Sequence, residues 1–172
     1  MESKVIGIST LVVVLIVLLF AWGRAGTQST PASVQGAPGA YGTARSSLVA
    51  SETLYDFGTI SMKDGLVNKE FTVTNPTDRD SMVATVLTSC MCTLAYIVKE
   101  DGSLKGPFSM PGMGYVPPAN EVIKAGESRV IRVVYDPNAH GPAGVGRIDR
   151  FVTLTDMSGG TLQLEIKALV TP

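Results

Sequence analysis

Several things are scarce in this chain of 172 residues, and each scarcity closes off a class of function. Charged residues make up 17% and nearly cancel, leaving a net charge of −1. Without a basic field there is no electrostatic footprint for nucleic acid, and there is no acidic tail. Histidine occurs once, at His140, and cysteine twice, at Cys90 and Cys92. A closed zinc site takes four Cys or His ligands, so these three residues cannot complete one. There is no Cys-x-x-Cys-His stretch for covalent haem and no Cys-x-x-Cys for a thioredoxin-type centre. No acid, base and nucleophile set converges either, so the sequence reads as a non-enzyme that needs no cofactor. Helical periodicity is also missing after the first two dozen residues.

What is present falls into three parts. Residues 1–24 contain "VIGISTLVVVLIVLLFAW", Val5 to Trp22, without a charge. As a helix this run spans about 27 Å, close to a bilayer core. A core helix would need a helical partner, and no later segment offers one. A cleaved signal peptide normally has an apolar region of roughly 7–15 residues before a small-x-small site. This run is longer, and Ala21-Trp22-Gly23-Arg24 suits cleavage poorly. The expectation is an uncleaved single-pass anchor to the cell membrane, with Trp22 at the interface. The domain that follows is expected outside the cytoplasm. Residues 25–50 are rich in Gly, Ala, Ser, Thr and Pro and read as a flexible linker.

Residues 51–172 read as an all-β domain. "LVNKEFTVTNPT" alternates, with Phe71 and Val73 on one face, and stops at Asn75-Pro76. "SMVATVLTS" alternates with Met82, Ala84 and Val86 opposite Val83, Thr85 and Leu87. "SRVIRVVYDP" sets Ile131, Val133 and Tyr135 against Val130, Arg132 and Val134. "TLYDFGTI" and "TLAYIVK" are two further strands. "RIDRFVTLTD" and "TLQLEIKALV" form a hairpin around Ser158-Gly159-Gly160. Strand-length runs between turn residues argue for a β-sandwich with one wet face per sheet. From Asp101 to Glu121 the alternation fails, giving a long Gly/Pro loop that carries Met110 and Met113. Asp56, Asp64, Asp136, Asp149 and Asp156 sit near turns at no calcium-loop spacing and read as turn formers.

"SCMCT", residues 89–93, holds both cysteines. In an extended strand their Cα atoms would lie about 6.6 Å apart, near the upper limit for a disulfide. A bend at Met91 would shorten this, and methionine bends less readily than glycine. The sequence favours a structural thiol pair at a sheet end, Cys90 with Cys92, without a tightly held metal. The alternatives are thiol-redox exchange and a Cu(I) site in which Met110 and Met113 join the cysteines as soft ligands. His140, in a Gly/Pro turn, reads as an exposed turn histidine.

The set "YDFGTI", "FTVTNPTD", "TSCMCT", "IKAGESRVIRVVYDP" and "FVTLTD", in this order, resembles a bacterial family. This is the domain of unknown function fifteen seventy-three, related to the immunoglobulin-like Hydin/ASH domains. The resemblance covers roughly residues 52 to 171. Met91 stands where the family has glycine, Asn75 is followed by Pro76, and the loop from Gly102 to Asn120 is longer. The resemblance implies an immunoglobulin-like fold and an exported, often anchored location, with no established activity. The combined expectation is a membrane-anchored immunoglobulin-like β-sandwich that binds another protein or a cell-envelope component.

Overall fold

The computed structural model describes residues 44–172. The expected anchor and most of the expected linker lie outside the described residues. Among the described residues no helix is long and apolar enough to cross a membrane.

Among the described residues ten strands follow one another: β1 (Val49–Ala50), β2 (Leu54–Ser61), β3 (Val67–Thr74), β4 (Ser81–Thr88), β5 (Thr93–Val98), β6 (Leu104–Phe108), β7 (Glu121–Ile123), β8 (Ser128–Tyr135), β9 (Gly146–Asp156) and β10 (Thr161–Thr171). They form two five-stranded sheets, ordered β1-β3-β8-β5-β6 and β2-β10-β9-β4-β7. Neighbours run antiparallel except β2 and β10, which are parallel. The runs β3-β8-β5 and β4-β9-β10 reproduce the B-E-D and C-F-G orders of an immunoglobulin-like sandwich.

Alternation decides which side chains meet between the sheets. Phe71, Val73, Ala95, Ile97, Ile131, Val133 and Tyr135 come from the first sheet, each at most 1% exposed. Val83, Val86, Val152, Leu154, Leu164 and Ile166 face them from the second. In β3 and β8 the buried residues are those the alternation assigns. In β4 they are not. Val83 and Val86 are both buried while Ala84 and Thr85 turn outward, because the β4–β9 register shifts between Val83 and Thr85. This bulge frees the Ala84 carbonyl, which accepts the amide of Ala119 at 2.8 Å.

Two sequence boundaries move. Order begins before Ser51. Ser46 donates its amide to the Thr161 carbonyl at 3.0 Å, Leu48 is 2% exposed, and β1 pairs with the end of β3. One buried leucine and a few backbone bonds order a stretch whose composition reads as linker. The contact is close enough that a Cβ on Gly160 would stand 2.8 Å from Ser46 Cα, so glycine is required there. The long loop is also less open than its composition implies. Its first part is β6, an edge strand on β5 that buries Phe108, and its end is tied down by Ala119. Residues 109–118 remain without regular structure.

Candidate functional site at the Cys90–Cys92 turn

The turn between β4 and β5 crosses from one sheet to the other. On the β9 side, Ser89 donates its amide to the Phe151 carbonyl at 2.9 Å. Its hydroxyl accepts the Phe151 amide at 2.9 Å. On the β8 side, the Cys92 carbonyl accepts the amide of Asp136 at 2.9 Å. Within the turn the Cys90 carbonyl accepts both the Thr93 amide and the Thr88 hydroxyl, each at 3.1 Å. The first of these closes a four-residue turn around Met91.

That turn resolves the geometry of the two thiols. It brings their Cα atoms to 5.2 Å, inside the disulfide range, and Cys90 and Cys92 are disulfide-bonded. The extended spacing disfavoured this bond, and the bend supplies what extension lacks. Met91 occupies the tip, 46% exposed, so its side chain needs no space within the fold. The bond closes over one intervening residue, so its loop-entropy contribution is about 1–2 kcal/mol, against roughly 3 kcal/mol for a 15-residue loop. As a staple it contributes little.

Each sulfur has a nitrogen base or cation beside it. His140 Nε2 lies 3.1 Å from Cys90 Sγ. Arg150 Nε donates to Cys92 Sγ at 3.2 Å. His140 is placed by the turn after β8. There the Asp136 carboxylate accepts the Asn138 amide at 2.8 Å and the Asn138 side chain donates to the Met62 carbonyl at 2.8 Å. Arg150 projects from β9 and donates a second bond to the Asp149 carbonyl at 2.8 Å. Cys90 is 9% exposed and Cys92 2%, while His140 is exposed.

The ligand atoms of Cys90, Cys92 and His140 lie within 4.8 Å of one another. His140, exposed in its turn as the sequence suggests, is therefore the third group that the fold brings to the sulfurs, where the sequence suggested two loop methionines. Met110 lines an open groove of about 360 Å³ with Leu87, Pro111 and Phe151, next to Ser89, and Met113 is 52% exposed. As a disulfide the two sulfurs are not thiolate ligands, and the Arg150 cation beside Cys92 opposes a metal cation there.

A second polar cluster ties the two sheets together. Arg129 on β8 meets Glu121 on β7 at 3.0 Å, and Lys105 on β6 meets the same carboxylate at 3.1 Å. Burial opposes the Glu121 charge, but the hydrogen bonds from Arg129 and Lys105 outweigh it and hold its pKa below the ordinary value. At the β9–β10 turn, Asp156 accepts from the Ser46 hydroxyl at 2.5 Å, from the Ser158 amide and from the Gly160 amide. Burial again works against ionisation and these bonds again prevail, so its pKa is lowered.

No protein-family model and no curated protein matches the chain. Among solved structures, a protein of unknown function from Porphyromonas gingivalis is similar at a TM-score of 0.52 and 15% identity, covering 71% of this chain and 46% of that one. The chain thus spans less than half of that protein. An ASH/PapD-like domain of human CEP192 aligns at a TM-score of 0.45 and 11% identity over 85% of this chain and 98% of that one. The periplasmic chaperone SfaE aligns at 0.38 and 15% identity, over 73% and 57%. At these identities the likeness concerns the fold alone.

Proposed function

We propose that the chain is a membrane-anchored, extracytoplasmic immunoglobulin-like module that binds another protein or cell-envelope component and is not an enzyme. The apolar run from Val5 to Trp22 supports the anchor, and the Cys90–Cys92 bond suits an oxidising compartment. The motif resemblance to domain of unknown function fifteen seventy-three points the same way. The observation that carries the binding reading is the edge of the second sheet. β2 is eight residues long, with a bulge around Gly58 where its register with β10 shifts. Among the described residues it pairs with β10 alone, leaving its outer backbone groups without a strand partner. The other edges are shorter or carry proline. β1 has two residues, β7 has three, and β6 contains Pro107. The stretches of β2 on either side of that bulge can accept an added strand from a partner by backbone pairing.

The test uses the full chain carrying a photo-crosslinking residue at Leu54 on β2 or at Met157 in the β9–β10 turn, both exposed. Crosslinking to one envelope component from Leu54 but not from Met157 is expected. The chain should resist alkaline extraction, and protease should reach the domain only in right-side-out vesicles. Digestion only in inside-out vesicles, or equal crosslinking from both positions, would refute the reading.

A further inference from the structure

We propose that the Cys90–Cys92 bond is a thiol–disulfide exchange site whose co-reactant is a dithiol, carried by a protein or a small molecule. The inference goes beyond the binding reading and stands without it. The motivating geometry is the placement of one basic side chain at each sulfur, His140 Nε2 at 3.1 Å from Cys90 and Arg150 Nε at 3.2 Å from Cys92. A structural disulfide has no need of either. Exchange passes through thiolates, which a neighbouring cation stabilises and a neighbouring base helps to form.

The two sulfurs differ in a way that sets the order of events. Cys90 is the more exposed, 9% against 2%, and sits beside the turn tip at Met91. One thiolate of the co-reactant attacks Cys90 Sγ and forms a mixed disulfide with it. The Cys90–Cys92 bond breaks, and its electron pair goes to Cys92 Sγ, which leaves as a thiolate against the Arg150 guanidinium. The second thiol of the co-reactant loses its proton and attacks its own sulfur in the mixed disulfide. Cys90 is released as a thiolate beside His140, an exposed base through which a proton is returned. The co-reactant loses two electrons and two protons and becomes a disulfide. The cysteine pair gains both and becomes a dithiol. Run backward, the same steps reduce a disulfide on the partner.

The experiment uses the full-length chain in mild detergent under native conditions, with dithiothreitol as the dithiol and maleimide quenching read by mass spectrometry. The oxidised protein should be reduced without unfolding. Arg150→Met should slow this reduction by about tenfold, by withdrawing the charge from the leaving thiolate, while Arg150→Lys restores most of the rate. With oxidised glutathione, Cys92→Ser should take up one glutathione at Cys90 about tenfold faster than Cys90→Ser does at Cys92. Melting temperatures measured alongside separate a slowed reaction from a loosened fold. A bond that yields to dithiothreitol only above the melting transition would overturn the proposal. So would an Arg150→Met rate equal to that of the parent. A reduced protein that keeps one equivalent of added zinc or Cu(I) against a chelator would replace the exchange site with a metal site.

Discussion

Two of the connections that carry the chain between the sheets are built on opposite plans. After β3, Asn75 is fully buried and satisfied all round. Its side-chain amide donates to the Arg79 carbonyl at 2.7 Å and the Ile123 carbonyl at 2.9 Å, and its side-chain oxygen accepts from the Thr77 hydroxyl at 2.7 Å. Its own amide and carbonyl bond to Glu127 and Gly126. After β4, the Cys90–Cys92 turn is held by backbone bonds, by the Thr88 and Ser89 hydroxyls and by the disulfide. Side chains from two other elements, His140 and Arg150, stand at its sulfurs. The first turn spends its polar groups on holding the fold. The second also anchors itself to both sheets, but its sulfur pair meets a base and a cation that the fold does not need.

Breaking the first turn should have the largest effect. Asn75→Ala removes a buried hydrogen bond to the Ile123 carbonyl and the contacts that order the loop, although the Arg79 carbonyl keeps the Thr77 hydroxyl at 2.9 Å. A lost buried bond costs about 1–3 kcal/mol. We expect a destabilisation of roughly 2–4 kcal/mol, measured as a fall in the chemical denaturation midpoint at constant slope. A cost below about 0.5 kcal/mol would mean that the loop reorganises freely and that the two turns do not differ.

The Glu121–Arg129–Lys105 cluster is the next test, since it belongs to the satisfied kind. Glu121 has a folded pKa below its unfolded value. Its contribution is therefore present above the ordinary carboxylate pKa, about 4.3, and is lost as pH falls through the lower folded value. Asp156 follows the same sign. Glu121→Gln should cost about 2 kcal/mol at neutral pH and make the melting temperature fall less steeply below about pH 4. An unchanged acid limb in the variant would remove Glu121 from the account.

Replacing both cysteines sharpens the comparison from the other side. Cys90→Ala with Cys92→Ala should cost only about 1–2 kcal/mol, because the loop that the bond closes is so short. A loss above about 4 kcal/mol in thermal unfolding would make the pair a principal staple and erase the contrast with Asn75.

How much of this was legible in the sequence depends on whether a contact is local. The faces of β3 and β8 were legible because their registers run unbroken and period two survives in the residue types. The β4 faces were not. Met82, Val83, Ala84, Val86 and Leu87 are all apolar, so nothing in the sequence marks the bulge that makes Val83 and Val86 share the core. β6 was hidden because Lys105, Gly106 and Pro107 break the alternation and only Phe108 is buried. At the site, the cysteine pair was legible and its two neighbours were not. His140 and Arg150 stand 50 and 58 residues along the chain from the sulfurs they meet. One signal could have found the first. β5 starts at Thr93 and pairs with Tyr135 at the end of β8, so the turn after β8 must lie beside Cys92. That inference needs the strand pairing, which composition does not supply.

The smallest expected effect is the most discriminating. His140 is exposed, and its one side-chain contact among the described hydrogen bonds is with Cys90 Sγ. Its one buried neighbour in that contact is Cys90, and the turn around it is closed by the Asp136 carboxylate and by backbone bonds. His140→Gln should therefore shift stability by less than about 0.5 kcal/mol. A glutamine of similar reach can still hydrogen-bond to the sulfur, but it cannot carry a proton to or from it. If the imidazole serves only the fold, glutamine should match histidine in every assay. If it serves the sulfur, the two proteins should melt together while the rate at which maleimide labels reduced Cys90 near neutral pH falls in the variant. A melting temperature that drops with the labelling rate unchanged would return His140 to the first kind of turn, the kind that spends its side chains on structure.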